Sequence, residues 1–105
     1  MKITATYQDK IIAQGEYGTE VVSVDGNYYF SREVTDFGHL QIKGKGQQYY
    51  CPIKKSKCDY YNLVDENENI IVDEIGWIYE TTIELYKACA KKIAFYSDKV
   101  SITTK

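Results

Sequence analysis

The chain has 105 residues, 44% of them hydrophobic, and a net charge of −2. That length holds one domain over residues 1–105 with one ordinary core, and the apolar share excludes a disordered chain. The acidic balance argues against a general nucleic-acid binder, and nothing approaches the roughly eighteen apolar residues of a membrane span. No N-terminal apolar stretch resembles a signal peptide, so the expectation is a cytoplasmic protein with reduced cysteines. Eleven tyrosines stand against three phenylalanines and one tryptophan. Tyrosine suits half-buried sheet surfaces, where the ring packs and the hydroxyl finds water or a polar partner.

Taken in chain order, residues 2–15 read as a strand, a turn near Gln8–Lys10 and a second strand. The segment TEVVSVDGNYYF gives two short strands around Asp25–Gly26–Asn27, a strong hairpin signal. SREVTDFGH is polar and irregular, with one helical turn ending at Gly38. QQYYCPI and KCDYYNLV read as strands joined by a tight turn in KKSK, and DENEN is a further turn. IIVDEIGWIY is extended, with Gly76 a candidate bulge. Thr81 and Glu84 have the spacing of a capping box, opening an amphipathic helix over about 82–94. Its apolar half would carry Ile83, Leu85, Tyr86, Cys89, Ala90, Ile93 and Ala94. A strand, a turn at Ser97–Asp98 and a final strand close the chain. The fold class expected is α+β, mainly β, with one C-terminal helix.

The densest stretch is YYCPIKKSKCDYY, residues 49–61. With the turn at Lys54–Lys57, Cys51 faces Tyr60, Tyr49 faces Asn62 and Ile53 faces Cys58. Alternation then places Tyr49, Cys51, Ile53, Cys58 and Tyr60 on one face, with Tyr50, Asp59 and Tyr61 on the other. Cys51 and Cys58 become diagonal neighbours, about 7–8 Å apart at Cα. That exceeds the usual disulfide reach of roughly 4.4–6.8 Å, so no disulfide is expected. Three cysteines and a single histidine without a close pair do not make a zinc site, so neither metal nor cofactor is expected. Cys51 and Lys54 are the catalytic candidates: nearby lysines favour a thiolate, although His39 is far off in sequence and carries no motif.

Charge is unevenly spread. From Gln41 to Cys58 there are five lysines and no acid; from Asp59 to Tyr86 there are eight acids and no base. These segments can attract each other in the fold. The basic one, with Tyr49 and Tyr50 for stacking, also leaves weak nucleic-acid contact as an alternative. Other fragments are matches of letters only. Asp36–Gly38 spells a kinase metal motif in a chain too short for a kinase, and Gly44–Gly46 lacks the context of a phosphate loop. Asp73 and Glu74 are adjacent, so in a strand they face opposite ways.

The fragments DGNYYFSREV, YYCPIKKSKCDYYNL, GWIYE and IAFYSDKVSI, in this order, resemble a small bacterial family of domains of unknown function numbered four-two-seven. The pattern falls on Tyr29, Phe30, Cys51, Pro52, Lys54, Tyr60, Tyr61, Trp77, Tyr79, Phe95 and Tyr96. Two positions depart from it: Lys55 stands where glycine is usual, and Glu80 where proline is usual. The resemblance implies twisted antiparallel sheets of β-tent type, similar to methionine sulfoxide reductases of the B type and to Mss-four-like proteins. Zinc is not carried over, because the paired-cysteine spacing is missing. The family is also labelled nucleotidyltransferase-like, but the glycine-serine step and paired aspartates of that chemistry are absent.

Convergence of the family positions gives the site expectation: Cys51, Lys54, Tyr60, Tyr61, Trp77 and Tyr79 around a small planar or anionic ligand. An enzyme depending on Cys51 or Lys54 is the alternative. A homodimer stays open among the partners.

Overall fold

The computed structural model describes residues 1–44 and 49–105. Lys45 and Gly46 of the glycine-lysine-glycine loop, and Gln47 and Gln48 before the hairpin, lie outside the described residues. The described residues form ten strands: β1 (Lys2–Tyr7), β2 (Lys10–Glu16), β3 (Val21–Val24), β4 (Asn27–Phe30), β5 (Leu40–Ile42), β6 (Tyr49–Cys51), β7 (Ser56–Val64), β8 (Ile70–Ile78), β9 (Ile93–Phe95) and β10 (Ser101–Thr104). They form two sheets, one in the order β10-β1-β2 and one in the order β3-β4-β9-β8-β7-β5, with β6 paired beside β7. Every pairing between the named strands is antiparallel. Among the described residues, no helix is long and apolar enough to cross a membrane.

Alternation along the strands of the larger sheet sorts its side chains into two populations. Phe30, Tyr61, Ile78, Ile93 and Phe95 join Ile3, Ala5, Ile12 and Ala13 of the smaller sheet in the main core; Ile75, beside the register shift in β8, joins them out of step with the alternation. Tyr29, Cys58, Trp77, Tyr79, Cys89 and Ala94 form a second buried cluster. Cross-strand register holds that second set together: Tyr60 lies opposite Trp77, and Trp77 opposite Ala94.

The predicted C-terminal helix does not form. Residues Glu84–Cys89 make a short 3₁₀ segment whose N-cap, Ile83, offers no side-chain bond, so the Thr81–Glu84 capping box is absent. Tyr86 leaves helical geometry within it, at φ −113° and ψ 18°. The reason lies in tertiary pairing. Ile93–Phe95, the end of the supposed apolar stripe, is taken up as β9 between β4 and β8. What remains is too short to nucleate a stable α-helix, and Leu85 is left 78% exposed.

Gly76 marks a close approach rather than a bulge. It sits in regular register opposite Tyr61 and Phe95, and a Cβ there would meet the Ala94 carbonyl oxygen at 2.4 Å. The register shift falls instead between Tyr61 and Leu63, which pair with Gly76 and Val72. Asn62 therefore faces Asp73–Ile75, with Glu74 at φ +52°. Asn62 is buried, and its Oδ1 accepts the Glu74 N–H at 2.8 Å. Lys43 reaches the Asp73 and Glu74 carboxylates, at 3.0 and 2.6 Å.

Candidate functional site

The hairpin of β6 and β7 turns earlier than the lysines suggested. Tyr49 pairs with Cys58, Tyr50 with Lys57 and Cys51 with Ser56, so the turn is Pro52–Lys55. Proline has no N–H for a ladder and begins a turn readily. Lys55 completes it at φ +50°, in the left-handed region where glycine is the usual residue. Because the slip is even, the face assignment survives. Tyr49, Cys51, Cys58 and Tyr60 still share a face, whereas Ile53 is exposed in the turn.

Moving the turn changes what happens to Lys54. It is only 7% exposed, folded inward over the second aromatic cluster. Its ammonium donates to Asp25 Oδ2 at 2.9 Å and lies 5.6 Å from the Tyr79 ring centroid and 5.3 Å from that of Tyr86. Asp25 comes from the β3–β4 turn, where φ values of +51° at Asp25 and +81° at Gly26 are those of the hairpin turn that Asp-Gly favours. Burial pulls the Lys54 amine down, but the Asp25 carboxylate and the surrounding groups outweigh it and hold the amine above its usual range. The group is a fixed cation.

Beside it opens a recess of about 190 Å³, lined by Asn27, Tyr29, Tyr49, Lys54, Cys58, Tyr60, Trp77, Tyr79 and Tyr96. The indole of Trp77 is its centre. Its Nε1 donates to the Tyr29 hydroxyl at 3.2 Å, the Tyr29 ring meets it edge-on, and the Tyr96 ring lies 4.7 Å away, centroid to centroid. Tyr49 and Tyr60 pair at 6.3 Å. Burial, above all, raises the hydroxyls of Tyr29, Tyr60, Tyr79 and Tyr96. They are neutral donors at physiological pH. Tyr60 is hydrogen-bonded to Tyr96, and Tyr79 to the Cys51 sulfur.

Of the residues singled out in sequence, Lys54, Tyr60, Trp77 and Tyr79 line this recess. Cys51 is half-buried behind it, touching it through Tyr79. Tyr61 does not belong there; it packs edge-on against Phe37 in the main core. Sequence reasoning passed over Asp25, Asn27, Tyr29, Tyr49, Cys58, Tyr86 and Tyr96. For Tyr29 and Tyr96 the signal was present, since both fall on the family pattern. For Asp25 there was none, because a turn residue and a lysine 29 positions away meet only through the sheet.

The three thiols are unbonded and differ sharply. Burial pushes Cys58 up to about 11, helped by the charge of Asp59, and burial also raises Cys89. For Cys51 burial works the same way but loses. The Lys54 N–H, the Tyr79 hydroxyl, the Ile53 N–H and the Lys54 ammonium together lower it.

Other features lie apart from the recess. A larger, open depression of about 500 Å³ includes Tyr7, Lys10, His39 and Glu66, with His39 Nδ1 held 2.9 Å from Asp36. Among the described residues, no three His, Cys, Asp or Glu side chains gather closely enough to hold a metal ion.

The chain belongs to the family described as a domain of unknown function (DUF427), which is matched over residues 1–105. No curated protein matches it.

Proposed function

Starting from a family with no assigned activity, we propose that the recess beside Lys54 binds a small anionic molecule built on a single planar ring. The observation that carries this reading is the buried, permanently charged ammonium set in a wall of aromatic rings. Burying a cation is costly unless it is paired, and its partner, the Asp25 side chain, is 48% exposed. A ligand carboxylate or phosphate can therefore take the inward side of Lys54 while Asp25 turns to water. The protonated tyrosines and Asn27 supply further donors, and Trp77 with Tyr96 supplies ring surface. Volume sets the size. At about 190 Å³ the recess is below the roughly 300–1,000 Å³ of drug-sized sites, so one ring with one acidic group fits and an intact nucleotide does not.

The test is a thermal-shift screen of aromatic carboxylates and aryl phosphates. The expected result is a rise in melting temperature with ring acids and none with the matching amines or amides. A flat screen with folded protein refutes the reading.

A second reading is thiol chemistry at Cys51, favoured by its being the one lowered thiol of the three. Lys54 does not act as the nucleophile, because an amine held charged has no free lone pair. On this reading Cys51 reacts with iodoacetamide at neutral pH well before Cys58 and Cys89. Labelling of Cys51 only after denaturant is added removes it.

A further inference from the structure

The β6–β7 hairpin has a second face, and its chemistry is different. Opposite the recess, Tyr50 and Lys57 are direct cross-strand partners. They line an open groove of about 420 Å³ with Lys55, Ser56, Thr81, Thr82 and Ile83. Tyr50 is 52% exposed, on a strand that among the described residues pairs only with β7. Lys55 and Lys57 are exposed. Among the described residues neither has an ion-pair partner, a state they share with Lys2, Lys91, Lys92, Lys99 and Lys105. Among the described residues, no carboxylate lines the groove. Lys55 also holds a backbone conformation that L side chains adopt at a cost, so a charged side chain stands where the turn itself would favour glycine.

We infer that this outer groove binds single-stranded nucleic acid, with a base stacked on Tyr50 and adjoining phosphates on Lys55 and Lys57. Alternating ring and charge is the chemistry of a single strand: every base offers a π-face, and the backbone between bases is anionic. An acidic peptide would use the two ammonium groups and leave the ring idle. The hydroxyls of Thr81 and Thr82 add donors for phosphate oxygens. The chain's overall charge of −2 opposes the approach of a polyanion, so the complex is weak and depends steeply on salt.

The experiment is fluorescence anisotropy of a short fluorescein-labelled oligothymidylate, titrated with the intact protein at low salt. Binding is expected. Two phosphate contacts give a slope of log K against log salt of about −1.4, from roughly −0.7 per contact on single strands. Tyr50→Ala weakens binding by roughly fivefold or more, the low end for loss of one stacked base. The double variant Lys55→Gln/Lys57→Gln flattens the salt slope. Trp77 emission stays unchanged, because the strand occupies the face away from the recess. The inference is overturned by an absence of binding at low salt or by a slope unaltered in the double variant. Displacement of the oligonucleotide by polyglutamate or by thymidine monophosphate at equal molar concentration also overturns it, as does quenching of Trp77 by the strand. Circular dichroism of each variant checks that the fold is retained.

Discussion

Asp59 is a buried charge whose removal should raise stability, and the effect should depend on pH. It sits on β7 beside Cys58, 5% exposed, and among the described residues its Oδ1 has no hydrogen-bond partner. Burial raises its carboxyl above the usual range; Glu80 adds to this, and Arg32 only partly opposes it, being itself paired with Glu80. A group whose folded value is raised binds its proton more tightly in the native state. Stability is then highest in acid and falls as pH climbs from the ordinary carboxylate range through the raised value. Asp59→Asn keeps the shape and cannot ionise. A buried polar atom left unpaired costs about 1–3 kcal/mol, and more when charged. The variant should therefore be more stable than the parent by at least about 1 kcal/mol at pH 8, or some 4–8 °C in melting temperature for a domain near this size. Near pH 4 the gain should shrink towards zero. Urea unfolding of both proteins across this range measures it. A difference that is constant with pH, or an Asn variant weaker at pH 8, refutes the reasoning.

Gly76→Ala should cost about 3 kcal/mol, the upper end for overpacking, because the added methyl meets backbone at 2.4 Å rather than a side chain that can swing away; chemical denaturation reads this directly. Lys55→Gly should stabilise by up to about 1 kcal/mol by relieving the left-handed strain at φ +50°, partly offset by the greater freedom of glycine in the unfolded chain. The same substitution should weaken oligonucleotide binding, which separates the stability of the turn from the chemistry of its side chain. For Cys51, the pH profile of alkylation should have its midpoint below that of a free thiol, while Cys58 should titrate near 11. A Cys51 midpoint at or above the free-thiol value contradicts the arrangement of donors around it.

The β character and most strand positions were legible because alternation and turn chemistry are local. Asp25–Gly26 specified its hairpin, and DENEN its turn, without reference to anything distant. The helix was not legible. Spacing at Leu85, Cys89 and Ile93 suits one face of a helix, but Ile93–Phe95 also satisfies the gap between β4 and β8, and sheet pairing prevailed. At the lysine-rich corner the register slipped by an even step, since Pro52 rather than Lys54 opens the turn. That slip preserved which side chains share a face, and it moved Lys54 from the first to the third residue of the turn, where it is buried. The parity of β7 also separates Tyr60 from Tyr61, which grouping the two by motif overlooked. The partnership of Lys54 with Asp25 was beyond local reading, because it depends on how two hairpins are placed across the sheet.

The indole N–H resonance of Trp77, the only tryptophan in the chain, tests the recess most directly during titration with a simple aryl carboxylate or aryl phosphate. The account predicts a saturable shift of that single resonance, lost or weakened about tenfold or more in Lys54→Met, in line with removing a charged hydrogen bond. A resonance that stays still at every ligand concentration, or one that moves equally in the parent and in Lys54→Met, contradicts it.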